Sequence, residues 1–251
     1  MMNILLVGCN GKMGNTINRI CSERDDIKIT CGLDISKKDD LNFPVYTKAE
    51  DIPSSVNVDV VVDFSHPAGV MQTIEYCTNN KKPLVYSTTG LDKTGTEFLD
   101  KLSEHVPVFR SANMSLGVNL LIKLCKQAAE FLRDDFDIEI VEKHHNQKID
   151  APSGTALKIA DEINSSLNNS LEYVYERHTK REKRNKNEIG IHAVRGGNIV
   201  GQHEVIFAGL DETITISHGA FSKDIFAQGA LRAALFIKNK PAGMYSMDDM
   251  I

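Results

Sequence analysis

Residues 3–7, Asn-Ile-Leu-Leu-Val, form a short apolar run that ends at Gly8, and Gly8-Cys9-Asn10-Gly11-Lys12-Met13-Gly14 follows at once. A run of this length suits a strand buried on both faces of a parallel sheet. Ile17, Ile20 and Cys21 come next at helical spacing, and Ile27–Leu33 reads as a second strand closing at Asp34. Few folds accommodate strand, glycine loop, helix, strand and a terminal acid about 20 residues past the glycines. The order is the Rossmann-like dinucleotide-binding plan. Small residues let backbone amides approach a pyrophosphate, the helix start stabilises its charge, and the acid accepts hydrogen bonds from the adenosine ribose. The spacing is G-x-x-G-x-x-G, because Asn10 stands where a second glycine is usual.

The strand–helix alternation continues. Val58–Asp63 reads as a strand, followed by Phe64-Ser65-His66-Pro67 and a helix to about Asn79. Proline there sits at a first helical position. Pro83–Tyr86, a strand, ends in Ser87-Thr88-Thr89-Gly90; Lys93–Ser103 reads as a helix; Pro107–Arg110, a strand, ends in Ser111-Ala112-Asn113-Met114-Ser115. Ligands of open parallel sheets bind beyond the C-terminal strand ends. The turns at Ser65, Thr88 and Asn113 are therefore candidates to line the nicotinamide half of a cofactor.

Near Ser115 the pattern changes. Leu116–Leu132 reads as a helix and Asp137–Glu142 alternates like a half-buried strand. The next stretch, Lys143-His-His-Asn-Gln-Lys-Ile-Asp-Ala-Pro-Ser-Gly-Thr155, places His144, His145 and Lys148 on a loop before a helix that begins near Gly154. Pro152 and Ser153 are helix start signals. The first free amides, from about Gly154 and Thr155, would point back at that loop. Free amides, a helix dipole and a lysine make an anion site, and a histidine beside it moves protons near neutral pH. The implied ligand carries carboxylates or phosphate.

Residues 164–188 are polar and charged and read as a solvated excursion without a specific role. Gly190–Arg195, Ile199–Ala208 and Glu212–His218 are strand-like runs separated by Gly196-Gly197-Asn198 and Gly209–Asp211, which read as hairpin turns. Ile225–Lys238 is a last helix. The expected architecture is α/β: a parallel-sheet nucleotide domain from 1–115 and 223–251, and an inserted α+β domain, 116–222, with a mostly antiparallel open sheet. Two chain crossings, near Ser115 and Lys223, make a hinge about which the two domains close and shut out water.

At 251 residues, 41% hydrophobic and 25% charged, the chain has the composition of a globular protein with a sizeable core. A net charge of -5 favours no nucleic acid and no anionic membrane partner. There is no long apolar run, and the N-terminus enters a strand without a signal-peptide pattern. The five cysteines lack metal-ligand spacing, so no metal is expected, and a reducing cytoplasm is the simplest setting.

Several strings together resemble one family, 4-hydroxy-tetrahydrodipicolinate (dihydrodipicolinate) reductase of bacterial lysine and diaminopimelate biosynthesis. They are Val7–Gly14, Asp63-Phe64, Thr88-Thr89-Gly90, Asn113–Asn119, Glu142-x-His-His-x-x-Lys-x-Asp-Ala-Pro-Ser-Gly-Thr-Ala156 and Arg195–Gly201. The resemblance runs nearly end to end. It implies reduction of a cyclic imine dicarboxylate by NADH or NADPH, with loss of the 4-hydroxyl as water, giving tetrahydrodipicolinate. It implies His144 as acid/base residue and Lys148 as proton donor, with His145, Lys148, Ser153, Gly154 and Thr155 holding the substrate. For the cofactor it implies Gly8, Cys9, Asn10, Gly11, Lys12 and Met13, with Asp34, then Ser87, Thr88 and Thr89, and Ser111, Ala112, Asn113 and Met114. Ser87 stands where glycine is common. A homotetramer joined through the second domain's sheet is implied as well. Another two-domain NAD(P)-dependent dehydrogenase of aspartate-family metabolism would share the glycine loop but not His144-His145 with Asp150–Thr155. A nucleotide-sensing protein would have no reason to keep His144 and Lys148.

NADH is the expected preference. Relatives that use NADPH well commonly carry arginine just after the acid, and here that residue is Ile35; His66 stands where another arginine is frequent. Lys37 and Lys38, two and three residues further on, could reach a phosphate as point charges, but Lys37-Lys38-Asp39-Asp40 reads as a solvated loop.

Overall fold

The computed structural model of the chain describes residues 1–38 and 40–251. In chain order the elements are β1 (Met2–Val7), α1 (Lys12–Ser22), β2 (Ile27–Leu33), β3 (Val45–Tyr46), β4 (Val60–Asp63), α2 (Val70–Asn80), β5 (Leu84–Tyr86), α3 (Lys93–Ser103) and β6 (Pro107–Arg110). Then come α4 (Leu116–Leu132), β7 (Asp137–His144), α5 (Gly154–Ser166), β8 (Glu172–Val174), β9 (Glu188–Arg195), β10 (Gly201–Ala208), β11 (Thr213–Ala220), α6 (Asp224–Ile237) and β12 (Gly243–Tyr245). The chain divides into two compact units, Met1–Leu116 with Asp224–Ile251, and Gly117–Lys223.

The first unit holds a seven-stranded sheet in the order β12-β6-β5-β4-β1-β2-β3, with every pair parallel. Strand alternation sorts its apolar residues onto two faces. Ile4, Leu6, Val60, Val62, Val85 and Phe109 face α1 and α6; Leu5, Val7, Val61, Leu84, Tyr86 and Val108 face α2 and α3. Burial on both sides is why β1 reads as a continuous apolar run, and each such side chain contributes about 1.5–3 kcal/mol. β1 pairs with both β2 and β4, so the strand order reverses there. That reversal opens a crevice beyond the C-terminal ends of β1 and β4.

Local details depart slightly from expectation. The turn at Pro67–Gly69 is a 3-10 turn that runs into α2, capped by the ring of His66, whose Nδ1 accepts the Ala68 N–H at 3.2 Å. Short β3 and β12 extend the two sheet edges and have no sequence signal of their own.

The second unit holds a five-stranded sheet in the order β11-β10-β7-β9-β8, with α4 and α5 over one face. Ile138, Ile140, Ile189, Ile191, Val205 and Phe207 meet Val118, Leu121, Cys125, Ile159 and Ile163 there. The sheet is mixed: β10 is antiparallel to β7 and β11, whereas β9 is parallel to β7 and β8. Only β10 and β11 form the expected hairpin. The turn at Gly196–Asn198 is not a hairpin turn, because β7 lies between β9 and β10. The turn instead wraps the end of β7, with Gly196 N donating to His144 O at 2.9 Å and Asn146 N to Gly197 O at 3.2 Å. Spacing alone cannot distinguish strands that pair from strands that flank a third.

The 164–188 stretch also differs from a plain solvated excursion. It contains β8, and Arg177 and Arg184 reach back to the uncovered face of the sheet. Glu139 accepts from both guanidiniums at 2.9 Å and lies 2.7 Å from His192 Nε2. A half-buried carboxylate on a sheet face needs such partners, and here a distant charged segment supplies them.

Candidate active site

The glycine loop owes its shape to crowding. Gly8 adopts φ +80, and a Cβ there would lie 2.8 Å from the backbone of Phe64. A Cβ on Gly14 would lie 2.4 Å from Gly8 O, so α1 starts tight against the loop only because residue 14 has none. Asp34 accepts the Asn10 N–H on Oδ2 and the Ile35 N–H on Oδ1, each at 2.8 Å. Asn10 Nδ2 donates to Ser36 O at 2.8 Å. The residue in place of glycine therefore ties the loop to the segment after β2.

A cleft of about 270 Å³ lies against this loop, lined by Gly8, Gly11, Asp34, Ile35, Ser65 and His66 among others. Another of about 320 Å³ is lined by Met13, Phe64, Ser65, Ser87, Thr88, Thr89, Ala112, Met114 and Phe226. The expected cofactor residues thus fall into two groups along the strand ends. Cys9, Asn10, Lys12, Ser111 and Asn113 line neither cleft. The Cys9 thiol is buried beside Gly32 and pushed up to about 11, by burial first and then by Asp34; its side chain is core. Ser111 Oγ donates to Asn113 O at 2.8 Å, which shapes their turn.

Asp63, at the end of β4, is fully buried and was not singled out by sequence reasoning as a site residue. It accepts from Ser65 N at 2.8 Å, Thr73 Oγ1 at 2.7 Å and Thr88 Oγ1 at 3.2 Å, joining two of the turns that line the second cleft. Ser87 Oγ is buried there without a hydrogen-bond partner among the described residues. A tight glycine loop, an acid at the end of β2 and an orphaned hydroxyl in the adjoining cleft fit a dinucleotide with an amide-bearing nicotinamide end. Among the described residues, no group of three or more His, Cys, Asp or Glu could hold a metal ion, and no helix is long and apolar enough to cross a membrane.

In the second unit, the alternation of β7 persists through residue 144, so His144 closes the strand rather than lying on the loop. Its side chain faces the α4–α5 side, where Glu142, two residues earlier, also points. His144 Nδ1 donates to Glu142 Oε2 at 2.6 Å. Glu142 is 0% exposed and accepts further bonds from Arg195 Nη1 at 2.8 Å, Arg195 Nη2 at 2.7 Å and Ser153 N at 3.0 Å. Burial pushes the carboxyl up, but Arg195, His144 and the Ser153 amide together hold it below the ordinary range. Arg195 Nη2 also donates to Asp150 O.

Ser153 caps α5, its Oγ accepting the Ala156 N–H at 3.2 Å and lying 3.1 Å from His203 Nε2. The rings of His203 and His144 meet edge to face, with centroids 5.2 Å apart. Burial first, then His144, depress the His203 imidazole to about 4, so it is neutral at physiological pH. Lys148 Nζ lies 2.7 Å from Asp150 Oδ1, whose carboxyl is held low first by Lys148 and also by the Gly154 amide. A carboxylate thus already sits between the lysine and the start of α5, in the manner of an anionic ligand. His145 is half-buried, and a Cβ added to Gly154 would meet open space.

The structure therefore gathers His144, Lys148, Ser153 and Gly154 about the end of β7. It adds Glu142, Arg195 and His203, which sequence reasoning did not assign. Glu142 carried a signal, its place two residues before His144 on an alternating strand; His203 carried none.

A nucleotide unit of this kind, joined in one chain to a buried histidine–carboxylate pair beside a helix start, defines a dinucleotide-dependent oxidoreductase of small anionic substrates. Residues 2–114 match the family model described as dihydrodipicolinate reductase, N-terminus, and residues 117–251 match that described as its C-terminus. The chain is 51% identical to 4-hydroxy-tetrahydrodipicolinate reductase of Clostridium tetani, covering 100% of this chain and 97% of that one. It is 49% identical to the enzyme of the same description from Caldanaerobacter subterraneus subsp. tengcongensis, covering 100% and 98%. Among solved structures it superposes on a dipicolinate-bound dihydrodipicolinate reductase from Paenisporosarcina with a TM-score of 0.83 and 25% identity, over 100% of both chains. A probable dehydrogenase from Thermotoga maritima, 13% identical with a TM-score of 0.60 over 99% and 92% of the chains, shares the fold. The chain belongs to the dihydrodipicolinate reductase family, and its activity is the NAD(P)H-dependent reduction of 4-hydroxy-tetrahydrodipicolinate in lysine biosynthesis.

Proposed function

We propose that His144 is the acid/base residue of this reduction, that Lys148 supplies the proton, and that His145, Ser153, Gly154 and Thr155 join Lys148 in holding the substrate carboxylates. The observation that carries the reading is the gathering of His144 and Lys148 with the start of α5, where Lys148 already pairs with a carboxylate at 2.7 Å. A ring dicarboxylate of the dipicolinate type replaces Asp150 as the partner of Lys148 and takes up the positive end of the helix dipole. Reduction of a conjugated imine leaves negative charge on the ring, which needs a proton delivered in place. The Lys148 ammonium can donate one. With Glu142 ionised, His144 Nδ1 keeps its proton and Nε2 is left for exchange with the ligand. Ser153 contributes by shaping the helix start, since its hydroxyl caps α5 and its amide is bonded to Glu142.

When bound, the reduced nicotinamide cofactor would supply hydride, and Gly8, Gly11, Met13 and Asp34, with the Ser87–Thr89 and Ala112–Met114 turns, would hold it. NADH is preferred over NADPH, the second unit serves substrate binding and oligomerisation, and four copies assemble through its uncovered sheet face. The cytoplasm is the working compartment. The test is cofactor oxidation coupled to the upstream synthase, which makes the unstable substrate from pyruvate and aspartate semialdehyde. Wild-type turnover that collapses in His144→Gln and Lys148→Met supports the assignment. Undiminished turnover in either variant removes that residue from the mechanism.

A further inference from the structure

Glu142 is the most thoroughly enclosed charged group of the second unit, and an enclosed carboxylate is costly unless every acceptor position is used. Here all are used. Oε1 accepts from Arg195 Nη2 at 2.7 Å and Ser153 N at 3.0 Å; Oε2 accepts from Arg195 Nη1 at 2.8 Å and His144 Nδ1 at 2.6 Å. The donors come from separate parts of the site. His144 closes β7, Ser153 caps α5 and Arg195 closes β9. Through its second bond to Asp150 O, Arg195 also holds the loop that carries Lys148. One carboxylate therefore touches the histidine, the helix start and, through the arginine, the lysine loop.

The proton count on His144 follows from this arrangement. An ionised carboxylate is acceptor-only, so the Nδ1 that faces Oε2 must carry hydrogen. The neutral ring is then confined to one tautomer, with its lone pair on Nε2. That nitrogen lies over Gly201, where a Cβ would come within 3.1 Å of it, so β10 leaves it room through a residue without a side chain. The paired arginine keeps the carboxylate an acceptor when the imidazole gains and loses its second proton.

We propose that Glu142, clamped by Arg195, is a positioning residue for the reduction: it fixes the tautomer of His144 and sets the distance from that ring to the start of α5 and the Lys148 loop. The proposal rests on the reading of His144 as the acid/base group. It differs from a purely structural ion pair in what it predicts for kinetics. A structural pair would affect melting alone. A positioning carboxylate affects turnover, the pH profile and the coupling to His144.

The test is a double-variant cycle in the coupled assay. Glu142→Gln, nearly isosteric, should lower kcat by about 10–10³-fold, with little change in the KM for NADH. Its pH–rate profile should differ from that of the wild type, because Nδ1 of His144 no longer faces an acceptor-only carboxylate. Glu142→Asp should recover part of the rate. In a His144→Gln background, Glu142→Gln should cost less than about 3-fold more, because groups that act as a unit are not additive. A measurement on the wild-type protein does not depend on any variant folding: a strongly deshielded Nδ1–H proton of His144 in the NMR spectrum. Its absence would overturn the proposal, as would wild-type kcat and pH profile in Glu142→Gln, or additive losses in the cycle. An impaired His144→Gln beside an unimpaired Glu142→Gln overturns this proposal alone. An unimpaired His144→Gln overturns the acid/base reading and the proposal with it.

Discussion

The main-chain N–H of Asn10 donates to Oδ2 of Asp34 at 2.8 Å, so the residue that replaces a loop glycine is bonded to the acid that closes β2. The other oxygen accepts the Ile35 N–H. Two amides thus aim the carboxylate, and its remaining lone pairs are the ones a ribose would meet.

From this comes a prediction of cofactor choice. A 2′-phosphate would set its charge against Asp34, and the next side chain, Ile35, is 96% exposed and offers neither charge nor donor. NADH should be preferred by roughly 3- to 30-fold in kcat/KM, or about 0.7–2 kcal/mol, the scale of one partly exposed charge-assisted contact. Measuring kcat/KM for both cofactors at low and high salt decides it. An NADPH preference that fades with salt would show Lys37 and Lys38 reaching the phosphate.

His144→Gln should lower turnover by about 10²–10⁴-fold, the range for one acid/base group, and leave cofactor affinity nearly unchanged. The nucleotide loop belongs to the other unit, so fluorescence titration with NADH should give the wild-type Kd while the coupled assay loses rate. A parallel loss of both would point to misfolding rather than chemistry.

Stability should depend on pH through His203, which is 4% exposed. Its folded value of about 4 lies below the ordinary 6.5, depressed by burial, then by His144, His218 and Lys148, with Glu142 opposing. Between these values the unfolded chain binds more protons than the folded one. This group's contribution therefore falls as pH drops from about 6.5 to 4, by roughly 3 kcal/mol in all, and is level above that range. Urea unfolding at successive pH values should show a shallower slope in His203→Gln than in the wild type. Parallel curves would contradict the assignment.

Gly229→Ala sets two effects of opposite sign against each other. In the middle of α6, alanine should gain about 1 kcal/mol in helix propensity. The added Cβ, however, would fall 1.7 Å from Met114 O, a backbone atom that cannot swing aside. Overpacking costs of about 1–3 kcal/mol or more should win, and the variant should melt lower than wild type. A higher melting temperature would mean that the helix shifts freely.

What was legible in the sequence was local. The unbroken apolar run of β1, the glycines before α1, Asp34 at the end of β2 and the Pro-Ser-Gly start of α5 each state their own geometry, because period, turn chemistry and caps act over a few residues. The tertiary structure decided the rest. Arg195 reaches Glu142 across 53 positions and His203 reaches Ser153 across 50, and neither distance leaves a trace in periodicity. The place of β7 between β9 and β10 is of the same kind. Alternation states which residues share a face, whereas pairing depends on which strands together bury α4 and α5. The ionic state of Glu142 is a tertiary property as well. A carboxyl buried without Arg195, His144 and the Ser153 amide would favour its neutral form; surrounded by them, it remains the acceptor that orients His144.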